Sequence, residues 1–197
     1  MTSINLEYEN LTEIPSYLKD REDIQKLDLG NNQISKIENL PPKLQNLYLD
    51  YNQISKIENL PPKLQNLYLD HNQISKIENL PPNLQILYLS SNQISKIENL
   101  PPNLQILYLS NNQIRKIENL PPNLQVLKLH HNRIRYFRCY LLGIPAEGSR
   151  AFRVSEDVVH FRVESSDWIG FCFWRTFPRS LLGECEANEL EVFFFEN

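Results

Sequence analysis

Residues 44–63, LQNLYLDYNQISKIENLPPK, form a unit that recurs along the chain with a period of 20. Residues 31–50 and 51–70 differ only by Asn31 against Tyr51. Full copies begin at Ile24, Leu44, Leu64, Leu84 and Leu104; a sixth begins at Leu124 and loses the pattern after Phe137. Residues 4–14 have the apolar spacing of a degenerate first turn. A period of this length predicts a repeating coil, stacked on itself.

Each unit contains one short strand. Leu47 and Leu49 are two positions apart and point to one side, while Asn46, Tyr48 and Asp50 point to the other. The leucine side of the strand is therefore predicted to face the core, and the opposite side to face solvent.

The rest of each unit is a return path in which a helix is disfavoured. Ile54, Ile57 and Leu60 continue the apolar set, and Pro61-Pro62 removes two backbone donors. We expect an extended or polyproline-like path with at most a short turn. Since six apolar residues in 20 cannot close a core alone, each coil must stack on its neighbours and the strands must form a parallel sheet. The predicted fold is a mostly β solenoid of the α/β type, an arc with parallel strands on its concave face.

One asparagine recurs just after each strand. A buried amide at a bend needs partners for its donors and its acceptor, and the loop backbone of its own and the neighbouring coil can supply them. We interpret these residues as a structural ladder, in preference to ligand contacts. They are Asn32, Asn52, Asn72, Asn92, Asn112 and Asn132.

The copies differ mainly on the strand side, which favours a binding role for the concave face. Exposed residues of the return path such as Lys56, Glu58 and Asn59 hardly change. The alternative is that units were copied in blocks, because Asn46 and Asp50 recur together in the next unit. The candidate partner-binding residues are Tyr48, Asp50, Tyr68, Asp70, Tyr88, Tyr108, Lys128 and His130.

The tyrosines in this set form one row. Tyrosine supplies a large contact area at low entropic cost and is enriched where binding energy concentrates. Under this interpretation, removing Tyr68 and Tyr88 weakens binding and changes folding little. The alternative is an aromatic ladder that stacks on itself and stabilises the sheet.

The last 60 residues do not follow the period. Both tryptophans and every phenylalanine except Phe137 lie there. Alternating apolar residues predict a hairpin with arms at 152–154 and 159–163, and further strands at 169–173 and 190–194.

This change of composition divides the chain into three parts. We predict an N-terminal capping coil (1–23), repeats of period 20 (24–137) and a small, β-rich C-terminal cap (138–197). The last part is expected to cover the apolar end of the final coil. The alternative is a separate binding role, including a homodimer contact through its aromatic residues.

Composition excludes several classes of partner from the expected function. A net charge of −4 gives no general attraction for nucleic acid or an anionic membrane. No window approaches the ~20 apolar residues of a membrane span, and no secretory pattern opens the chain. Cys139, Cys172 and Cys185 are odd in number and lie outside the repeats, which indicates a reducing compartment. We expect a cytoplasmic protein, in the host-cell cytoplasm if its source is a virus or an effector-secreting bacterium.

The unit resembles leucine-rich repeats throughout residues 4–137. Residues 52–60, NQISKIENL, are similar to repeats of bacterial internalins and of a phosphatase regulatory subunit. The 20-residue length with Leu60-Pro61-Pro62 resembles repeats of bacterial type III effectors and of giant-virus and amoebal proteins. The resemblance implies protein recognition through the concave face.

Catalysis is not expected. Effector ligases of similar repeat type carry a large catalytic domain with a nucleophilic cysteine, and 60 residues are too few for one. Neither a catalytic triad, a phosphate-binding glycine loop nor metal-ligand spacing is present in the tail, so no cofactor or metal is expected.

The sequence therefore predicts a protein-interaction scaffold. The alternative is a noncatalytic regulatory subunit that recognises an acidic or phosphorylated partner through the basic end of the array. Between Arg115 and Arg138 there are six basic residues against the single acid Glu118.

Overall fold

The strands that the structure describes form one sheet, in which they follow the order of the chain except that the last strand lies before the second last. The computed structural model describes residues 2–133 except 116 and 118, and the backbone of 158–162 and 191–195. The strands in these residues are β1 (Thr2–Asn5), β2 (Ile24–Asp28), β3 (Asn46–Tyr48), β4 (Asn66–Tyr68), β5 (Ile86–Tyr88), β6 (Ile106–Tyr108), β7 (Val126–Lys128), β8 (Val158–Arg162) and β9 (Glu191–Phe195).

Strands β1 to β7 are parallel, and each coil of the solenoid contributes one of them. From β2 onward the register equals the sequence period, so Leu47 pairs with Leu67 and Leu67 with Leu87. In the first coil, Ile4 pairs with Leu27 across β1 and β2. The predicted parallel arc and its degenerate first turn are confirmed.

Hydrogen bonds between coils continue beyond the short strands. The Leu49 N–H donates to the Tyr68 carbonyl at 2.8 Å, and the Tyr51 N–H donates to the Asp70 carbonyl at 2.9 Å. Tyr51 has a φ of 56°, so the chain turns away from the sheet at this residue. The same turn recurs in every coil, and each strand from β2 to β7 ends at the same position before it; β3 to β7 have three residues each.

The return path is free of helix in the described repeats. Pro61 is buried and Pro62 exposed, and the Leu64 N–H donates to the Pro61 carbonyl at 3.2 Å in a tight turn before the next strand. A 3-10 helix at Ser16–Leu18 lies in the first coil, before the prolines begin to recur. The extended return path is confirmed.

The core runs along the solenoid between the strands and the return path. Leu47, Leu49, Ile54 and Ile57 have no exposed surface, and Leu60 is partly buried against them. Full burial of one such side chain stabilises the fold by about 1.5 to 3 kcal/mol. Because every coil adds the same apolar set to its neighbours, the stability of the array accumulates coil by coil.

Strand β9 extends the sheet at its C-terminal end. It pairs antiparallel with β7, with Leu127 opposite Val192, and β8 pairs parallel with β9. The strand predicted at 190–194 differs from β9 by one residue, and β8 overlaps the predicted arm at 159–163. The predicted arm at 152–154 and the predicted strand at 169–173 lie outside the described residues. The three-part division of the chain stays a prediction.

Candidate functional site

The asparagine after each strand lies inside the turn and joins two coils. Asn72 is 8% exposed, and its Nδ2 donates to the carbonyls of Leu49 at 2.9 Å and of Leu69 and Asp70 at 3.2 Å. Its Oδ1 accepts the Ile54 N–H at 2.9 Å. The amide therefore satisfies backbone groups of its own coil and of the preceding coil. Asn32, Asn52, Asn92, Asn112 and Asn132 are buried in the same way.

A second asparagine of the unit makes a structural contact that sequence reasoning missed. Asn59, interpreted from the sequence as an exposed surface residue, has a φ of 54°, and its Nδ2 donates to the Ile37 carbonyl at 2.9 Å. Asn79 bonds the Ile57 carbonyl at 3.1 Å in the same way. Asparagine is enriched at positive φ, so two constraints hold the residue constant. The signal in the sequence was an exposed asparagine that never changes.

The tyrosine row lies on the outer face of the sheet, the side opposite the core, which is the concave face of the arc. Tyr48 and Tyr68 stack with ring centroids 4.4 Å apart, and Tyr88 and Tyr108 stack at 4.1 Å. Tyr68 meets Tyr88 edge to face at 4.8 Å. The rings therefore form the self-stacked ladder that the sequence left open as an alternative. Each remains half-buried, so part of every ring still faces solvent.

A lysine lies over each end of this row. The Lys26 Nζ is 4.8 Å from the centre of the Tyr48 ring, and the Lys128 Nζ is 4.8 Å from the centre of the Tyr108 ring. Both distances fall within the range of cation–π attraction. The His130 carbonyl, two residues beyond Lys128, accepts the Asn111 N–H at 2.7 Å.

Two carboxylates lie beside the row on the same face. The Asp50 Oδ1 accepts the Asp70 N–H at 2.8 Å, and the Asp70 Oδ1 accepts the Ser90 N–H at 2.6 Å. Burial raises the pKa of each carboxyl from 3.8 to about 6. Among the described residues the ion pairs are Arg21–Asp23 and Lys43–Glu22, so neither Asp50 nor Asp70 has a basic side chain within 4 Å.

The residue before each buried asparagine forms the rim of the outer face and adopts positive φ in every coil. Tyr51 and His71 both have a φ of 56°, and their rings stack with centroids 4.2 Å apart. Tyr51 is 52% exposed. Tyr8 has a φ of 61°, is 70% exposed, and its N–H donates to the Gly30 carbonyl much as Tyr51 donates to Asp70. The rim therefore presents aromatic rings to solvent at the N-terminal end of the array.

The return side offers a plainer surface. Lys56 and Lys76 are exposed, and the lysine and glutamate rows described there form no ion pair. A shallow polar groove before the strands is lined by Gln45, Lys63, Gln65, Asn83, Gln85, Asn103, Gln105 and Asn123. These side chains include one cation and no carboxylate, histidine or thiol.

The candidate residues of the sequence analysis lie together. Tyr48, Tyr68, Tyr88, Tyr108 and Lys128 occupy one outward column, as the register of β3 to β7 requires. The next outward column holds Asp50, Asp70 and His130. In the described part of the chain, no three His, Cys, Asp or Glu side chains are close enough to hold a metal ion. Nor is any helix there long and apolar enough to cross a membrane.

Comparison with solved structures identifies similar solenoids. A Shigella effector leucine-rich-repeat domain is 27% identical, with a TM-score of 0.61, covering 68% of this chain and 60% of that one. The internalin inlF of Listeria monocytogenes is 32% identical, with a TM-score of 0.60; the match covers 69% of this chain and 43% of the internalin chain. A chain in the structure of the LRIM1/APL1C complex is 30% identical, with a TM-score of 0.59; the match covers 68% of this chain and 28% of that one. The chain thus spans less than two thirds of each. None of the curated proteins compared with the chain matches it.

A family model described as "Leucine Rich repeats (2 copies)" matches residues 22–62, 42–82, 62–102 and 82–122. Successive matches are displaced by 20 residues, the period of the sequence. Together they cover residues 22–122, just over half of the 197 residues. The chain belongs to the leucine-rich-repeat family.

Proposed function

We propose that this protein is a noncatalytic cytoplasmic scaffold that binds a partner protein through the outer face of its sheet. Solenoids of this kind generally act as protein-interaction scaffolds, since stacked repeats create an extended concave surface. The structure of LRIM1 with APL1C is a complex of two proteins. The odd cysteine count, with all three thiols outside the repeats, supports a reducing compartment.

One observation carries the proposal: within the described repeats, the outer face and its rim collect the aromatic rings and most of the departures from the repeat. Lys56 is exposed and makes no ion pair, yet its position is lysine from residue 36 to residue 116. The rim position, which is exposed at Tyr51 and His71 and half-buried at Asn31 and Ser91, changes in each of these consecutive coils. Hydrogen bonding explains the constancy of Asn59, but nothing of that kind constrains Lys56. Differences between the units are therefore concentrated on the outer face and its rim, the surface that we propose for recognition.

The rings suit a protein partner. Burial raises the pKa of the Tyr68 and Tyr88 phenols, and hydrogen bonds to the neighbouring Tyr48 and Tyr108 hydroxyls raise it further, so each ring is held by its neighbour. A stacked row also holds its side chains in fixed positions before binding, which reduces the entropy lost when a partner docks.

Three double variants test the proposal against one partner, captured from the native host with the full chain and identified by mass spectrometry. Tyr68→Ala/Tyr88→Ala should weaken binding by about 2 kcal/mol or more, because both rings lie near the centre of the face. Lys56→Ala/Lys76→Ala is the control on the return side and should change affinity by less than about 0.5 kcal/mol.

The regulatory-subunit alternative predicts a different ranking. Lys128→Ala/Arg133→Ala would then cost more than the tyrosine pair, and binding would weaken steeply with added salt. Circular dichroism must show that each variant is folded before titration at two salt concentrations. Equal affinity of all three variants would show that the outer face is not the binding site.

A further inference from the structure

Two consecutive coils carry the same arrangement of aromatic rings around a carboxylate. In each, a strand tyrosine is followed two residues later by an aspartate and then by a rim aromatic. We call this set the Asp50/Asp70 site; it consists of Tyr48, Asp50, Tyr51, Tyr68, Asp70 and His71. In the next two coils Ser90 and Ser110 replace the aspartates, which confines the arrangement to one part of the face.

The carboxylates of this site lack a counter-charge. Asp50 and Asp70 are half-buried. Each accepts one backbone N–H of the next coil, and Asp70 also bonds the Ser90 hydroxyl. They repel one another, and Asp28 adds to the negative potential at Asp50. No lysine or arginine of the described chain lies within 4 Å of either. Charge that is partly removed from water and left unpaired destabilises the free protein and attracts a cation.

The rings on both sides of the carboxylates suit a cation as well. Tyr48 and Tyr68 stack on the strand side, and Tyr51 and His71 stack on the rim. The Lys26 ammonium group already lies 4.8 Å from the centre of the Tyr48 ring, which shows that this row accepts a positive charge. Asp50 also interacts electrostatically with the Tyr68 hydroxyl, so carboxylate and ring belong to one surface.

The rim aromatics occupy positions that favour asparagine. The return path has its own left-handed position, with a φ of 54° to 55°, and it holds asparagine in each coil from Asn39 to Asn119. The rim position has the same conformation, yet it holds Tyr51 and His71 between Asn31 and Asn111. The side chains of the two positions have different surroundings. On the return path the asparagine bonds a backbone carbonyl, as Asn59 does, whereas at the rim a side chain such as Tyr51 faces solvent.

We infer that the Asp50/Asp70 site binds the guanidinium group of an arginine side chain on the partner protein. A guanidinium group is planar, stacks on aromatic faces and donates two parallel hydrogen bonds to carboxylate oxygens. Tyr48 already lies between Tyr68 and the Lys26 ammonium group, so the aromatic surface for the ligand comes from the exposed rim rings of Tyr51 and His71. The two carboxylates supply the acceptors, and their unpaired negative charge is complementary to that ligand. The inference rests on the proposed function and names the chemistry by which the same face recognises its partner.

The test uses the full chain and two blocked tripeptides, acetyl-Gly-Arg-Gly-amide and its citrulline counterpart, which has the same shape without the charge. Binding of one side chain should be weak, on the order of millimolar, so it is followed by NMR. The amide signals of Asp70 and Ser90 report directly, because these N–H groups donate to the two carboxylates. The arginine peptide should bind at least tenfold more tightly than the citrulline peptide.

Two variants locate the binding. Asp50→Asn/Asp70→Asn keeps an acceptor for each N–H and should weaken binding of the arginine peptide at least tenfold. Glu58→Gln/Glu78→Gln removes the same charge from the return side of the same coils and should leave binding within twofold. Tyr51→Asn/His71→Asn suits the left-handed φ and should weaken binding at least threefold. Equal binding of the two peptides, or unchanged binding by the aspartate variant, would overturn the inference.

The native partner separates this inference from the proposed function. If the tyrosine pair is required for partner binding and the two aspartates are not, the face binds its partner without the arginine contact. If neither pair is required, the proposed function itself fails.

Discussion

At the scale of single residues, Asn72 shows why the unit cannot vary freely after its strand. Its amide donates to three carbonyls and accepts one N–H, and these groups belong to two coils. The buried Ile54 N–H depends on this side chain. The Asp70 carbonyl also accepts the Tyr51 N–H, and the Leu49 and Leu69 carbonyls also accept the amides of Asn52 and Asn92. The residue fixes both the bend of its own coil and the stacking of the preceding one.

Asn72→Ala and Asn92→Ala should each lower the free energy of unfolding by about 1 to 3 kcal/mol, because the buried N–H of Ile54 or Ile74 loses its acceptor and several carbonyls lose one donor. Chemical denaturation measures the difference, with Gln73→Ala, an exposed neighbour, as the control. Unfolding of both asparagine variants at the wild-type midpoint would disprove a structural role.

Asp50 and Asp70 predict how stability depends on pH. Their pKa is raised in the folded protein from 3.8 to about 6 by burial, next to Asp28, Tyr68 and Tyr88. A raised pKa contributes stability that is full below pH 3.8 and is lost as the pH rises through about 6. Stability from this pair therefore falls between about pH 4 and pH 7.

Asp50→Asn/Asp70→Asn should consequently unfold at higher denaturant than wild type at pH 7, by about 1 to 2 kcal/mol after allowance for solvent screening. The difference between variant and wild type should shrink toward pH 4. A difference that stays constant over this range would contradict the pKa assignment.

At the scale of elements, the short strands and the tyrosine row differ in how far the sequence predicted them. Leucine spacing was enough to place β2 to β7 and the core, because alternation and period leave one register. The contacts of Tyr68 with its neighbours depend on side-chain rotation, which no spacing specifies. The left-handed backbone conformation of Tyr51 could not be predicted either, because tyrosine does not favour positive φ.

Stacking changes the expected effect of losing a ring. Tyr68 contacts Tyr48 and Tyr88, and each aromatic pair adds about 0.5 to 1.5 kcal/mol beyond buried area. Tyr68→Ala should therefore lower the free energy of unfolding by about 1 to 3 kcal/mol, whereas a row that only faced a partner would change little. Tyr68→Phe keeps the ring and should stay within about 0.5 kcal/mol. Equal midpoints for Tyr68→Ala and wild type would show that the ladder adds no stability.

At the scale of the whole molecule, the repeat allowed the arc to be predicted from the sequence. The pairing of strands in the non-repeating tail could not be predicted in that way. One unit determines its neighbours, so residues 24–133 follow from a single coil. The tail has no second copy to compare with, and alternation located β8 and β9 without giving their pairing. Strand β9 pairs with β7, whose edge would otherwise be open to pairing with another chain.

Deleting residues 145–197 should give aggregation or low solubility, because the edge of β7 and the apolar end of the solenoid become exposed. Size-exclusion chromatography with light scattering makes the comparison with the full chain. A soluble, monomeric truncation with an unchanged melting curve would identify the tail as an independent appendage.

The central claim is that the partner protein docks on the outer face of the sheet. Site-specific photo-crosslinking tests it most directly, with a benzoylphenylalanine placed at Ser90 on the outer face or at Lys76 on the return side. Lys76 is exposed and Ser90 is half-buried beside Asp70, so circular dichroism must first show that each labelled chain is folded. We predict a crosslink to the captured partner from position 90 and none from position 76. A crosslink from position 76 with none from position 90 would contradict the account.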